Sequence, residues 1–413
     1  MKFAVDFHIH SKYSRATSPQ TNLEILDKWA KIKGVKVLGT GDFTHPEWLS
    51  EIKEKLEPAE PGLFKLKKSD NSTRFILTSE ISCIYSKNGK VRKIHILVFA
   101  PSLDIVEKIN AQLGWIGNLK SDGRPILGLD AKELTKIVLN ASQDCLVVPA
   151  HLLTPWFSLF GSKSGFDSLE ECFEDYSQYI YAGETGLSAD PSMLWRMPDG
   201  RRITLISNSD CHSPQKIGRE ANVFDTEISY QAIIEAIKAK DPERFLYTIE
   251  FFPEEGKYHV DGHADCGFYC EPEKTKKLGG RCPKCGKLLT VGVLSRIEEL
   301  SNREMNPSKP ERAVPFEYII PLKELISEHL GKGKKSKAVC VMYGEMIKNA
   351  SEFKILLDLN AIELEKIMPK VLVDGILDMR SGKVVVTPGY DGVFGKISVK
   401  GIGQSRSKQE NLF

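Results

Sequence analysis

The sequence predicts an α/β protein whose first part is a parallel sheet covered by helices and closed into a barrel. Three observations carry this. Short apolar runs rich in strand-formers alternate with amphipathic helical runs from the start to about residue 250. No G-x-G-x-x-G and no Walker lysine loop accompanies them, so a nucleotide-cradling sheet loses ground to a barrel. Histidine, aspartate and glutamate recur where one predicted strand after another runs out into a loop, which is where a barrel gathers catalytic groups.

The first strand, over 3–9, carries Asp6, His8 and His10 in alternation, so an extended backbone turns all three to one face. Further strands are predicted over 35–41, 74–81, 94–100, 145–150, 179–183, 204–207 and 245–249, with helices over 22–33, 46–56, 103–113, 131–141 and 229–239 between them. Asp42 ends the second strand and Glu80 the third; His151 follows Val148-Pro149-Ala150, Glu184 closes the run 179–183, and Asp210 with His212 follows the run 205–209. His95 is the exception, sitting early in its strand, and it reaches the others only if that strand is entered differently. Singly, each has a bland explanation, such as a helix N-cap for Asp42. Their recurrence does not.

Neutral imidazoles and carboxylates hold zinc or manganese at about 2.0–2.2 Å. A carboxylate can bridge two such ions about 3.5–4 Å apart, an arrangement suited to hydrolysing a phosphate ester. Glu80 is the expected bridge between the two histidine groups.

The 413 residues exceed one ordinary domain, and 41% apolar with 27% charged residues leaves ample material for a core. A net charge of +2 creates no global field toward nucleic acid, so such a partner must meet a local basic face. No apolar run spans a bilayer and the N-terminus reads straight into a strand, so a cytoplasmic protein without a membrane partner is expected. The expected division is a barrel over 1–250, a small unit over 251–300, a mixed α/β unit over 301–404, and a disordered tail over 405–413.

The second unit is too poor in apolar residues to fold without a staple. His263-Ala-Asp-Cys266-Gly267 and Cys282-Pro-Lys-Cys285-Gly286 share one form, and two such knuckles supply four ligands for a structural zinc. A competing set replaces His263 with Cys270. The scattered Cys83, Cys145, Cys172, Cys211 and Cys340 read as inert. Beyond residue 301, helices are predicted over 322–330, 338–349 and 362–373, and strands over 383–387 and 395–399 around the turn Pro388-Gly389-Tyr390-Asp391-Gly392.

D-F-H-I-H-S over 6–11, Asp42, Glu80, K-I-H-I-L around His95, P-A-H at His151 and S-D-C-H over 209–212 together resemble the successive motifs of the PHP (polymerase and histidinol phosphatase) family. The resemblance implies a distorted seven-stranded (β/α) barrel holding two to three divalent metals, Zn, Mn or Mg, on ligands drawn from His8, His10, Asp42, Glu80, His95, His151, Glu184, Asp210 and His212. Two departures, Ala16 and Phe43 where many members carry histidine, both fall on the third metal. His45 lies close enough to substitute, and Asp42, Glu184 or Asp190 can complete that site.

The stretches 151–156, 183–191, 289–294 and 388–395 extend the likeness, over nearly the whole chain, to the endonuclease Q family. That resemblance implies a nuclease cutting the phosphodiester 5′ to a deaminated base (uracil, hypoxanthine, xanthine) or an abasic site, leaving 3′-hydroxyl and 5′-phosphate ends. Catalysis falls to Glu80, Asp190 and Asp210; Trp156 and Phe157 are candidates to line a base pocket or wedge the duplex, and Arg201, Arg202, Arg219 and Tyr390 to meet the DNA backbone. The expected partners are damaged DNA and repair proteins such as a sliding clamp. The rivals are a small-molecule phosphatase of the histidinol-phosphate type, which needs neither appendage, and a non-catalytic DNA-binding barrel.

Overall fold

In the computed structural model, which describes residues 1–69, 73–301, 309–399 and 401–402, a ring of strands organises the first part of the chain. Lys2–Asp6 pairs in parallel with Val35–Gly39, and that strand pairs in parallel with Arg74–Lys87. The chain then turns back through Asn88 and Gly89, both with positive φ (54° and 72°), into the antiparallel strand Lys90–Ala100. An Asn-Gly pair suits this turn because both residues tolerate the left-handed region and the turn's twist matches that of the strands. Lys90–Ala100 pairs antiparallel with Leu146–Pro149, and the parallel pair Ala182–Glu184 and Thr204–Ile206 continues the ring. It closes on the first strand: Phe7 N donates to Asn208 Oδ1, Ser209 N to Asp6 Oδ1, and His10 N to the Cys211 carbonyl. This is the distorted (β/α)7 barrel the sequence led us to expect, and the reversed strand is its distortion.

The helices start where the sequence places caps. The Asn22 side chain accepts from Ile25 N to begin Leu23–Lys33, and Gly34 at φ 90° ends it. Asp130 caps Ala131–Ala141 in the same way. Outside the ring, Ala221–Asp225 pairs antiparallel with Lys2–Asp6, and Phe245–Glu250 pairs antiparallel with Ala221–Asp225. Sequence reasoning missed the strand Ala221–Asp225, because buried Asn222 interrupts its apolar pattern to accept from Ser207 N. Phe7, Phe99, Phe224 and Phe245 are fully buried under this layer. Burial of each contributes about 1.5–3 kcal/mol.

A short β-hairpin, Asp261–His263 with Phe268–Cys270, follows. The chain then rejoins the main sheet: Phe316–Tyr318 pairs in parallel with Phe245–Glu250. Helices Leu322–Leu330, Lys337–Ile347, Ala361–Glu365 and Lys370–Arg380 and the hairpin Val384–Thr387 with Lys396–Val399 complete the fold. The single helix predicted over 362–373 is two. Pro369 has no N–H to continue a helix, and it sits as N-cap of the second. The buried pair Lys33 Nζ to Glu352, 2.6 Å, ties the barrel's first helix to the C-terminal part. The predicted tail over 405–413 lies outside the described residues. Among the described residues no helix is long and apolar enough to cross a membrane.

Glu250 is fully buried and accepts from the hydroxyls of Thr248, Ser207 and Thr185. Burial pushes its pKa from the ordinary 4.5 to about 8 against those hydrogen bonds, with the charge of Asp190 adding to the rise. The folded protein therefore keeps a proton that the unfolded chain releases. Stability is expected to fall as pH rises from about 4.5 through about 8, at about 1.4 kcal/mol per pH unit where the two states differ by a full proton. Melting curves between pH 5 and 9 check this. Burial also raises the pKa of neighbouring Glu220, so Glu250→Gln should reduce the slope and leave part of it, and an unchanged slope in that variant would refute the assignment.

Candidate metal centre

The two imidazoles after the first strand are oriented by carboxylates. His8 Nδ1 stands 2.9 Å from Glu184 Oε1, and His10 Nδ1 stands 3.0 Å from Asp42 Oδ1. A carboxylate on Nδ1 fixes the ring and leaves the Nε2 lone pair facing inward. Both Nε2 atoms meet Glu80 Oε2, at 3.4 and 3.2 Å, and Asp210 Oδ1, at 3.7 and 3.1 Å. His8 Nε2, His10 Nε2 and Asp210 Oδ1 are buried and make no hydrogen bond. Ligands about 2.0–2.2 Å from one tetrahedral centre stand about 3.3–3.6 Å apart. The four atoms therefore fit one divalent cation.

Glu80 also faces the other way. Its Oε1 lies 2.7 Å from His95 Nδ1 and 3.1 Å from His151 Nε2, and those nitrogens are 3.2 Å apart. The exception of His95 is resolved by the reversed strand. Ser82 registers with His95 and Glu80 with Leu97, so His95 and Glu80 are diagonal neighbours on one face. Glu80 thus sits between two ligand groups, one oxygen to each.

Charge follows the geometry. Burial disfavours a protonated His8, but Glu184, Glu80 and Asp210 outweigh it and hold its pKa well above the ordinary value. Burial alone would raise the Glu80 and Asp210 pKa values; His95, Arg124 and His8 hold Glu80 well below its ordinary value, and His8 with His10 do the same for Asp210. Asp42, His151 and Asp210 also take positive φ (49°, 31° and 43°), a backbone strain that non-glycine residues accept only where surrounding structure enforces it.

Other predicted residues fall elsewhere. Asp42 is filled by His10, Ser11 N, and the Ser11 and Ser14 hydroxyls, and Glu184 by His8, His151 N and Asn208. Both stand one hydrogen bond outside the ligand groups. Asp6 orients no imidazole; it accepts from Ser209 N and Gly218 N. His212 packs its ring 4.5 Å from that of His10, while its Nδ1 lies 3.0 Å from the Asp210 carbonyl. His45 stacks on Tyr13. Asp190 caps the helix Pro191–Leu194, accepts from Tyr318 Oη at 2.7 Å and belongs to neither group.

Sequence reasoning missed Arg124. Its Nη1 donates to Glu80 Oε2 at 2.9 Å. Nothing in the loop Ser121-Asp-Gly-Arg-Pro125 beyond an ordinary turn signal marks it.

In the small unit over 251–300, a ribbon built on the two knuckles, donor atoms of His263, Cys266, Cys282 and Cys285 lie within 4.8 Å of one another. Cys270 is not among them; its Sγ is 3.3 Å from Thr275 Oγ1. Gly267 (φ 57°) and Gly286 (φ 75°) allow the tight turn after each knuckle. Burial pushes the Cys282 thiol pKa up, but the amides of Lys284 and Cys285 together with the Cys285 and Cys266 side chains outweigh it and lower the pKa, as a thiolate ligand requires.

Of the surface candidates, Trp156 is 43% exposed and packs edge-on against Tyr258, while the Phe157 ring lies 4.8 Å from that of His95. Arg219 lines a cleft of about 440 Å³ with Ala16, Ser18, Asp210, His212 and Lys216. Arg202 is occupied by Glu170 and the Ser177 carbonyl, and Arg201 donates to the Trp195 carbonyl. Tyr390 stacks on Tyr269 of the ribbon. The glycines around it serve a crossing of chain on chain: a Cβ on Gly389 would stand 2.2 Å from the Gly256 carbonyl oxygen, and one on Gly395 would stand 2.0 Å from that of Glu254.

A carboxylate shared by two histidine-bearing groups on a seven-stranded barrel defines a PHP-type enzyme, a metal-binding hydrolase. The family described as PHP-associated matches residues 199–242, and the MJ0043 C-terminal domain matches residues 321–383. MJ0043 of Methanocaldococcus jannaschii is 38% identical over 256 residues, covering 60% of this chain, which in turn spans only 31% of that longer protein. YqxK of Bacillus subtilis is 29% identical over 96% of this chain and 99% of its own. The crystal structure of the lesion-specific endonuclease PfuEndoQ from Pyrococcus furiosus superposes with a TM-score of 0.87 at 31% identity, covering 100% of this chain and 99% of that one. Endonuclease Q in complex with a 27-mer duplex carrying an abasic lesion at the active site superposes with a TM-score of 0.85 at 32% identity, over 98% of both chains. The chain belongs to the endonuclease Q family.

Proposed function

We propose that this enzyme hydrolyses the phosphodiester on the 5′ side of a deaminated base or an abasic site in duplex DNA. The observation that carries the reading is Glu80, one oxygen of which faces the unsatisfied Nε2 atoms of His8 and His10 while the other faces His95 and His151, at the ends of the strands. We assign one divalent ion, zinc, manganese or magnesium, to His8, His10, Glu80 and Asp210, a second to Glu80, His95 and His151, and a structural zinc to His263, Cys266, Cys282 and Cys285. When bound, the barrel ions supply hydroxide at neutral pH and neutralise the phosphoryl charge.

The residues do the rest. Glu184 and Asp42 hold His8 and His10 in the tautomer that leaves Nε2 free. In the reaction, the oxygen of water bonds to phosphorus and the P–O3′ bond breaks. The 3′ oxygen takes a proton, which leaves 3′-hydroxyl and 5′-phosphate ends. Extruding a lesion costs less than extruding a paired base, and exposed Trp156 is suited to stack on what is displaced. Arg219, in the cleft beside Asp210, is placed to meet a backbone phosphate.

The test is cleavage of duplexes bearing uracil, hypoxanthine, an abasic site or no lesion, with manganese or magnesium. Cutting of the damaged duplexes alone is expected. Equal cutting of all four, or phosphate release only from monoesters, would sink the reading. Asp210→Ala is expected to reduce cutting at least about 10³-fold, since it removes a ligand atom and leaves its partners facing one another. Retained activity would refute the ligand role.

A further inference from the structure

The barrel collects two ligand groups among the described residues, yet the charge around them extends further. Arg124 lies beside both. Its Nη1 donates to Glu80 Oε2 at 2.9 Å, the oxygen that also meets His8 and His10. This is the one hydrogen bond its side chain makes among the described residues, so the other donors of the guanidinium fork are uncommitted. Its side chain keeps 25% of its surface open, while Glu80 keeps none. The fork is thus anchored at one end and open at the other.

The loop bearing it is built to hold that position. Asp122 Oδ1 accepts from Arg124 N and Arg15 N. Gly123 N donates to the Tyr13 carbonyl and the Gly123 carbonyl accepts from Thr44 Oγ1, while Ser82 N donates to the Pro125 carbonyl. Any Cβ at Gly123 would stand 2.3 Å from Asp42 Oδ2 and 2.4 Å from Ser14 Oγ, so the loop lies directly on the residues that orient His10. These contacts fix the Arg124 backbone against both ligand-bearing segments. A simple counter-charge for Glu80 would not need them.

We propose that Arg124 is a catalytic residue that grips the scissile phosphate. Its guanidinium, held by Glu80, donates to the non-bridging oxygens of the phosphodiester as negative charge builds on them, and so supplies a fixed cation beside the two barrel ligand groups found among the described residues. A planar fork suits phosphate oxygens, and a donor already in place needs no reorganisation during reaction. The inference rests on the phosphodiesterase reading above, without depending on which lesion is recognised.

The experiment compares metal-loaded wild type, Arg124→Ala and Arg124→Lys. Single-turnover cleavage of an abasic duplex is measured alongside metal content, melting temperature and calorimetric binding of inorganic phosphate. Arg124→Ala is expected to lower the single-turnover rate about 10²–10³-fold, as losing one preorganised donor does. It should also weaken phosphate binding about tenfold or more, with metal content and melting temperature unchanged. Arg124→Lys should recover part of both, keeping the charge but not the fork. Wild-type rate and phosphate affinity in Arg124→Ala would overturn the proposal. So would loss of barrel metal in step with rate, which would make Arg124 a support for Glu80. If wild type shows no lesion preference, the repair reading fails alone; the same comparison on bis(p-nitrophenyl) phosphate, a plain phosphodiester, still decides the role of Arg124.

Discussion

Glu80→Gln is expected to cut activity at least about 10³-fold and to lower barrel metal content while the ribbon keeps its ion. The amide has the size of the carboxylate and can still accept through one oxygen. It cannot present an anionic oxygen to each of two ligand groups, as Glu80 does through Oε2 and Oε1. Its NH2 would instead point a donor at either the His8 and His10 pair or the His95 and His151 pair. The buried pair on that side would lose its charge balance, which costs more than the missing bond itself. Metal analysis of the purified variant, with cleavage measured on the same sample, checks this. A variant with wild-type metal content and activity would remove Glu80 from the centre of the site.

Cys282→Ser is expected to release the ribbon's metal and unfold the hairpin Asp261–His263 with Phe268–Cys270, leaving the barrel folded. The ribbon's own hydrophobic cluster is small, Cys270, Cys282 and Leu289 with Cys266, Phe268 and Leu278 packed against it, so a bound metal is expected to contribute most of its stability. Zinc binding in comparable small motifs is worth about 10–16 kcal/mol, far more than such a cluster supplies. Hydrogen exchange of the amides over 261–290 reads the local unfolding, and metal analysis shows the loss of one ion per chain. Protected amides in the metal-free variant would show that the ribbon stands without it. Tyr390 stacks on Tyr269, and Asp391 accepts from Ala264 N and Thr290 Oγ1, so the loop from Pro388 should loosen with it.

Much of the architecture was legible because it depends on local pattern. The helices Leu23–Lys33 and Ala131–Ala141 begin at Asn22 and Asp130, residues whose short side chains satisfy free amides. The recurrence of histidine and carboxylate at successive strand ends announced a site, since a barrel brings those ends together. Ala221–Asp225 was not legible, because Asn222 is spent on the barrel's closure and hides the strand. Arg124 was not legible either, being one arginine in a turn.

The sequence by itself determined the kind of protein: which donor atoms are present, that they fall at strand ends, and that two matched knuckles crowd into a segment unable to build a core. The tertiary structure alone decided how those donors divide. Asp42 and Glu184 look like ligands in the sequence but spend their oxygens on His10, His8 and nearby amides, whereas Asp210 keeps one oxygen unsatisfied. His95 reaches Glu80 only because its strand runs backwards. The reason is one of range. Facing a metal or holding its ligand differs by about 3 Å, the length of one hydrogen bond. Residue type and spacing do not encode that distance; it is set by the packing of segments far apart in the chain.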